Sequence, residues 1–424
     1  MLSTLKNAWR IPEIRKKILF TLLMLLVFRL GSSIPVPYMN KAIIADIFQK
    51  SKGGILQFLD LMGGGTFSSF SIFATNIYPY ITASIVIQLL TIAIPSLEEL
   101  AKEGEEGKKK ITKYTRYTAI ALALIQAIGY TFGLFSSALM TTNTLQNAIV
   151  ILSMVAGTAF LMWLGDMITE KGIGNGISLI IFIGIISKLP TDLISTFNLI
   201  RIGEMSIIKT LIFGIVFLVI IALVVALQEG ERRVPVQYAK RVVGRKMYGG
   251  QSTHIPVKVS MAGVMPVIFA SSLLAFPQTI ALFAKGAPSA WIERYLTPQG
   301  TVGIWIYSIL NIALIMFFTY FYTAIQFNTV EYAKNLQQNG GFIPGIRPGR
   351  PTSEHLNKVV TRITFVGGLS LAILASLPII LSKVFNMNVN FGGTAVIIVV
   401  GVALETVKQI EAQMLMRHYK GFLN

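Results

Sequence analysis

Few residues in this chain could do chemistry, and their spacing argues against catalysis. Cysteine is absent, which removes thiol nucleophiles, thiolate metal ligands and disulfides. His254, His355 and His418 are far apart and none falls in an apolar run, so neither a His-rich metal centre nor an intramembrane Ser-His protease has its parts. Asp166 stands at the end of one apolar run with no second aspartate at matching depth, as an intramembrane aspartyl dyad would need. Gly172-Ile-Gly174-Asn-Gly176 follows no strand and precedes no Lys-Ser/Thr, so it makes a poor phosphate loop. Glu405 at the end of another run and Arg29 inside the first are the other ionisable residues of note. The expectation is a protein that is not an enzyme and holds no cofactor or metal, with any energy supplied by a partner or a gradient.

The elements that must position these residues are membrane spans. Of 424 residues 53% are apolar and 13% charged, the latter about half the quarter usual in soluble globular proteins. A bilayer core about 30 Å thick needs about 20 apolar helical residues. Ten runs approach that requirement: 18–36, 77–94, 119–139, 148–167, 173–189, 207–227, 261–283, 302–322, 363–381 and 394–404, the last continuing into a charged helix. Before them, Leu2, Leu5 and Trp9 interleave with Lys6 and Arg10 as in an interfacial amphipathic helix. Ten spans place both termini on one side. Of 37 Lys and Arg, 27 fall on the terminal side and 9 on the other, which puts both termini in the cytoplasm. The fold expected is an all-α polytopic membrane protein.

Five runs precede the segment 190–204 and five follow it, so a repeat between the halves 1–195 and 196–424 is inverted. The second run of each half carries Pro-x-Ile-x-Ala-Ser, at Pro79-Tyr-Ile81-Thr-Ala83-Ser84 and Pro266-Val-Ile268-Phe-Ala270-Ser271. Proline-marked helices at matching places point to a central pathway between runs two and seven. Ahead of run two, the segment 62–74 is apolar but too short to span. Gly63, Gly64 and Gly65 make a hinge, Thr66 is a candidate N-cap, and the stretch reads as a short re-entrant helix, or alternatively as a loop on the lipid interface. The basic segments 228–258 and 331–358 are longer than connectors require. They serve orientation alone, or present cations to RNA phosphate or an acidic protein surface.

At these segments the sequence resembles the SecY family, the central subunits of bacterial protein-translocation channels. The resemblance is carried by Tyr80-Ile-Thr-Ala-Ser-Ile-Val-Ile-Gln88, Glu103-Gly-Glu-Glu-Gly107 through Lys113-Tyr-Thr-Arg-Tyr117, and Gly172-Ile-Gly-Asn-Gly-Ile-Ser178. It continues in Gln251-Ser-Thr-His-Ile-Pro-Val-Lys258, Met261-Ala-Gly-Val-Met-Pro266 and Pro344-Gly-Ile-Arg347-Pro-Gly349. It implies a pore between the two halves that passes unfolded secretory chains and opens sideways between spans two and seven for signal sequences and membrane helices. The implied constriction ring is Ile81, Ile85, Ile177, Ile181, Ile268 and Ile398. Residue type alone does not select these six, since isoleucine in a span ordinarily faces lipid or a neighbouring helix. Such a ring would gate by dewetting.

The resemblance also implies a plug at about 61–74, including Gly63, Gly64, Gly65, Thr66, Phe67, Phe70 and Ile72, and a weak polar seam at the lateral gate from Thr82, Gln88, Ser271 and Ser272. Arg245, Lys246 and Arg347 would dock the SecA ATPase or the ribosome. The family has two arginines where this chain has Arg245-Lys246, and lysine keeps the charge without the planar fork. Implied partners are SecE, SecG, SecA, the ribosome, nascent polypeptides with their signal sequences, and membrane lipid, at the bacterial cytoplasmic membrane. The alternatives are an inverted-repeat secondary transporter of a small solute and an intramembrane protease.

Overall fold

The computed structural model describes residues 2–50, 60, 63–140, 143–203, 206–238, 241–243, 246–248, 252–283, 291–292, 294–296, 303–384 and 393–420. The N-terminal half comprises α1 (Leu2–Arg10), α2 (Pro12–Gly31), α3 (Lys41–Lys50), α4 (Tyr78–Ala93), α5 (Pro95–Lys102), α6 (Glu105–Gly129), α7 (Thr144–Lys171) and α8 (Gly176–Ile202). The C-terminal half comprises α9 (Ile207–Glu229), α10 (Met265–Phe283), α11 (Gly303–Gln326), α12 (Thr329–Gln338), α13 (Arg350–Val384) and α14 (Gly393–Lys420). Helices occupy all ten expected runs. Among the described residues six are long and apolar enough to cross a membrane, or seven when α4 and α5 count as one broken span bent by 101°.

Local chemistry explains the helix limits. Pro79 and Pro266 each take the second position of their helix, where the missing N–H costs nothing, so the repeated motif sets the starts of α4 and α10 alike. Ile94 precedes Pro95, which disfavours the helical region, and its extended backbone (φ −112°, ψ 113°) makes the bend. The expected connector at 190–204 is largely helical instead. α8 continues through Pro190 to Ile202, and apolar Leu193, Ile194 and Phe197 lie exposed along it.

Each half packs around its own helices, α4 on α6, α6 on α7 and α7 on α8, then α10 on α11, α11 on α13 and α13 on α14. The halves meet where α10 packs on α4 and α14 packs on α8.

The two long basic segments depart from an all-helical reading. β1 (Glu231–Tyr238) pairs antiparallel with β4 (Ser252–Lys258) and, on its other edge, with β5 (Gly341–Phe342), so both segments join one three-stranded sheet. β2 (Arg241–Val243) and β3 (Lys246–Tyr248) form a separate small pair. Val234, Val236 and Val257 pack with Leu336, Ile343, Leu356 and Val360 into a small core distinct from that of the helical bundle. The alternation that puts Val234 and Val236 on one face is the period of a half-buried strand. α13 has 35 residues, about 52 Å at 1.5 Å per residue, so it reaches from this sheet through the bundle.

Candidate channel site

The helices expected to carry the isoleucine ring pack in succession, α4 on α10, α10 on α14 and α14 on α8. Ile81, Ile85, Ile181, Ile268 and Ile398 are buried in one hydrophobic cluster, with Ile177 half-buried against it. Ile81 and Ile85, like Ile177 and Ile181, are one turn apart and share a helix face.

The turn that sets the α8 pair is tight. Asn175 caps the helix, its Oδ1 accepting from the backbone N–H of Ile177 (3.1 Å) and Ser178 (3.2 Å), while Gly174 takes φ +91°. Thr169 Oγ1 accepts from Gly176 N (2.9 Å), and Thr21 Oγ1 of α2 accepts from Ile173 N (3.0 Å). The glycines that make a poor phosphate loop thus serve to place Ile177 and Ile181.

The glycine-rich segment is not the helix expected. From Gly63 to Ile77 it runs as consecutive turns, with Gly64 (φ +67°), Gly65 (φ +89°), Phe70 (φ +42°) and Asn76 (φ +52°) all left-handed. Ser68 and Ser69 spend their hydroxyls on the Gly65 carbonyl, competing with helical bonding. Thr66 caps nothing, since its buried hydroxyl has no hydrogen-bond partner among the described residues.

Aromatic burial fixes the segment. Phe67 meets Phe48, Tyr130 and Phe135 edge-on, Phe70 meets Phe135 at 4.8 Å, and Phe73 stacks on Phe28 and Phe160. These three phenylalanines belong to the same cluster as the isoleucines. A Cβ on Gly157 of α7 would lie 1.9 Å from the Ile72 carbonyl oxygen, so the backbones touch there.

A SecY family model matches residues 71–407. The chain is also 46% identical, over 436 aligned residues that cover all of both chains, to the protein translocase subunit SecY of Halalkalibacterium halodurans. The chain belongs to the SecY family.

Solved structures with the same fold include a SecY whose plug domain is described as stabilising the closed state of the translocation channel and maintaining a membrane seal. That similarity has a TM-score of 0.67 at 19% identity over 95% of this chain and 92% of that one. Another is Sec61 in the canine ribosome-channel complex, with a TM-score of 0.63 at 18% identity over 95% of this chain and 93% of that one. As a SecY homologue the chain is a multi-pass membrane protein and a protein-translocation channel subunit. Membership of this family does not favour the small-solute transporter.

The remaining residues expected at the SecY gate and docking surface distribute unevenly. Gln88 joins the halves, but through Tyr322 of α11, whose hydroxyl donates to Gln88 Oε1; Gln88 Nε2 donates to Ser84 Oγ at 3.1 Å. The Tyr322 ring also stands edge-on to Phe269 of α10 at 5.2 Å. Ser271 and Ser272 are buried and bond carbonyls of their own helix, Val267 (2.6 Å) and Ile268 (2.8 Å), while Thr82 is half-buried.

Arg347 is exposed in a turn flanked by Gly345 (φ +82°) and Gly349 (φ +96°), and its carbonyl accepts from Thr352 Oγ1 at 2.8 Å. Lys246 opens β3, and Arg245 lies outside the described residues.

Sequence reasoning missed Tyr322 and Asp60. Asp60 is buried and ion-paired with Lys188, which stands at the end of the run 173–189. A lone acid amid Leu59, Leu61 and Met62 was the available signal.

Proposed function

We propose that this chain forms the pore of a Sec translocase in the bacterial cytoplasmic membrane, with ten spans, both termini cytoplasmic and an inverted relation between the halves 1–195 and 196–424. The observation that carries the reading is the burial of Ile81, Ile85, Ile181, Ile268 and Ile398 in one cluster drawn from four successive packed helices of both halves. A ring of branched apolar side chains is too dry for ions when empty, yet it can part around an extended polypeptide and bind it only weakly.

In this reading residues 61–74 are the plug, and the gate for signal sequences lies where α4 faces α10 and α11. An apolar signal helix can replace the polar link from Gln88 to Tyr322 at small cost, since interhelical hydrogen bonds in membranes average about 0.6 kcal/mol. The sheet and the exposed Arg347 turn form the docking surface for SecA or the ribosome, and SecE and SecG complete the complex. Support for the ribosome comes from the complexes in which Sec61 is found.

Arg347→Glu tests the docking assignment. It is expected to abolish SecA-driven export in reconstituted vesicles while membrane insertion and topology of the channel stay normal. Export that survives the substitution contradicts the assignment.

A further inference from the structure

The plug segment is fixed by charge as well as by aromatic packing. The Asp60 side chain is 6% exposed and that of its ion-pair partner Lys188 in α8 is 20% exposed, so both ends of the pair are largely withdrawn from water. The other carboxylate oxygen, Oδ1, accepts from Ser68 N (2.7 Å), and the Asp60 carbonyl accepts from Gly65 N (3.0 Å), which gathers Gly65 and Ser68 around one acid. From α2, Arg29 Nη1 donates to the Gly64 carbonyl (3.1 Å) and contacts Ser187 Oγ (3.4 Å). Gly64 lies flat on α8, where a Cβ would stand 2.7 Å from the Gly184 carbonyl oxygen. Two helices of the bundle therefore each aim a cation at this short segment.

We infer that Asp60, Lys188 and Arg29 form an electrostatic latch that holds the plug in its seated position. The inference rests on the plug reading proposed above. With the plug seated, the Asp60 carboxylate has exchanged water for Lys188 and Ser68 N. Withdrawal of the plug separates the pair and returns both charges to water. A buried pair that loses one member leaves an uncompensated charge in the seated state, whereas in the withdrawn state each charge is hydrated either way. Removing either charge therefore weakens the seated state selectively.

Asp60→Asn keeps an acceptor for Ser68 N and removes only the charge, so it is the variant most compatible with folding; Lys188→Met is its counterpart. Each is expected to raise resting ion conductance of the reconstituted complex by about tenfold, which corresponds to about 1.4 kcal/mol. Lys188→Arg keeps the charge and is expected to stay tight, and Arg29→Gln is expected to give a smaller rise of the same sign.

Pro35→Cys with Ser71→Cys, across an isolated antiparallel bridge in a chain otherwise free of cysteine, serves to test the plug reading separately. The oxidised form is expected to stop export until reductant is added. Export through the oxidised form overturns the plug reading itself. A block on oxidation, together with Asp60→Asn and Lys188→Met channels as tight as the parent, overturns the latch alone. So does a Lys188→Arg channel as leaky as Lys188→Met.

Discussion

Ile81, Ile85, Ile181, Ile268 and Ile398 meet through apolar side chains, whereas the segment from Gly63 to Phe73 is held through its backbone, by stacked rings and by Ser68 and Gly65 hydrogen-bonded to Asp60, itself ion-paired with Lys188. Dispersion and burial carry no direction, so side chains that close by them can part and close again around many shapes. Hydrogen bonds and buried charges are satisfied in one geometry only, and a segment held by them is either seated or withdrawn. In the proposed channel the first region is an elastic seal and the second a two-position stop.

The largest effect that bears on this contrast is expected at Gly157. In Gly157→Leu the new side chain has no room beside the Ile72 carbonyl, and overpacking of this kind costs about 3 kcal/mol. The plug should fail to seat, giving a leaky resting channel in conductance measurements and a lower unfolding temperature; a tight channel would show that the segment is as adaptable as the ring. Next is Ile398→Asn, which places an unpaired amide in the cluster at a cost of about 2 kcal/mol. Here ion leak should rise while disulfide crosslinking in the Pro35→Cys, Ser71→Cys background stays complete, since the plug's own contacts are untouched.

How far these regions were legible follows from the range of the interactions. Pro79 and Pro266 could be read directly because proline fixes the first turn of a helix from within that turn. The ring required the family resemblance, because nothing local distinguishes a pore isoleucine from one facing lipid. The segment from Gly63 to Ile77 reads as a helix in sequence because nothing local announces that Gly64, Gly65, Phe70 and Asn76 adopt left-handed backbone. Asp60 and Lys188 are 128 residues apart, and no local pattern joins them. The sheet is not read from the sequence although Val234 and Val236 alternate as a strand should, because β1 and β4 are separated in sequence by the small β2–β3 pair, and β5 comes from the other segment.

The smallest effect expected is at the seam between the halves. Tyr322→Phe deletes the hydroxyl that meets Gln88 and leaves the ring on Phe269, a loss of about 0.6 kcal/mol. It should ease separation of α4 from α11 and raise insertion of a weakly apolar signal helix several-fold, with resting conductance unchanged. A rise in conductance instead would mean that the gate link also supports the ring.

The central claim is that a translocating chain passes within the isoleucine ring. A photoreactive residue placed at Ile85, Ile181 or Ile398, during export of a precursor halted midway, tests it most directly. The prediction is strong adducts from all three positions and none from exposed Leu218 on α9. Adducts from Leu218 without any from the three isoleucines would contradict it.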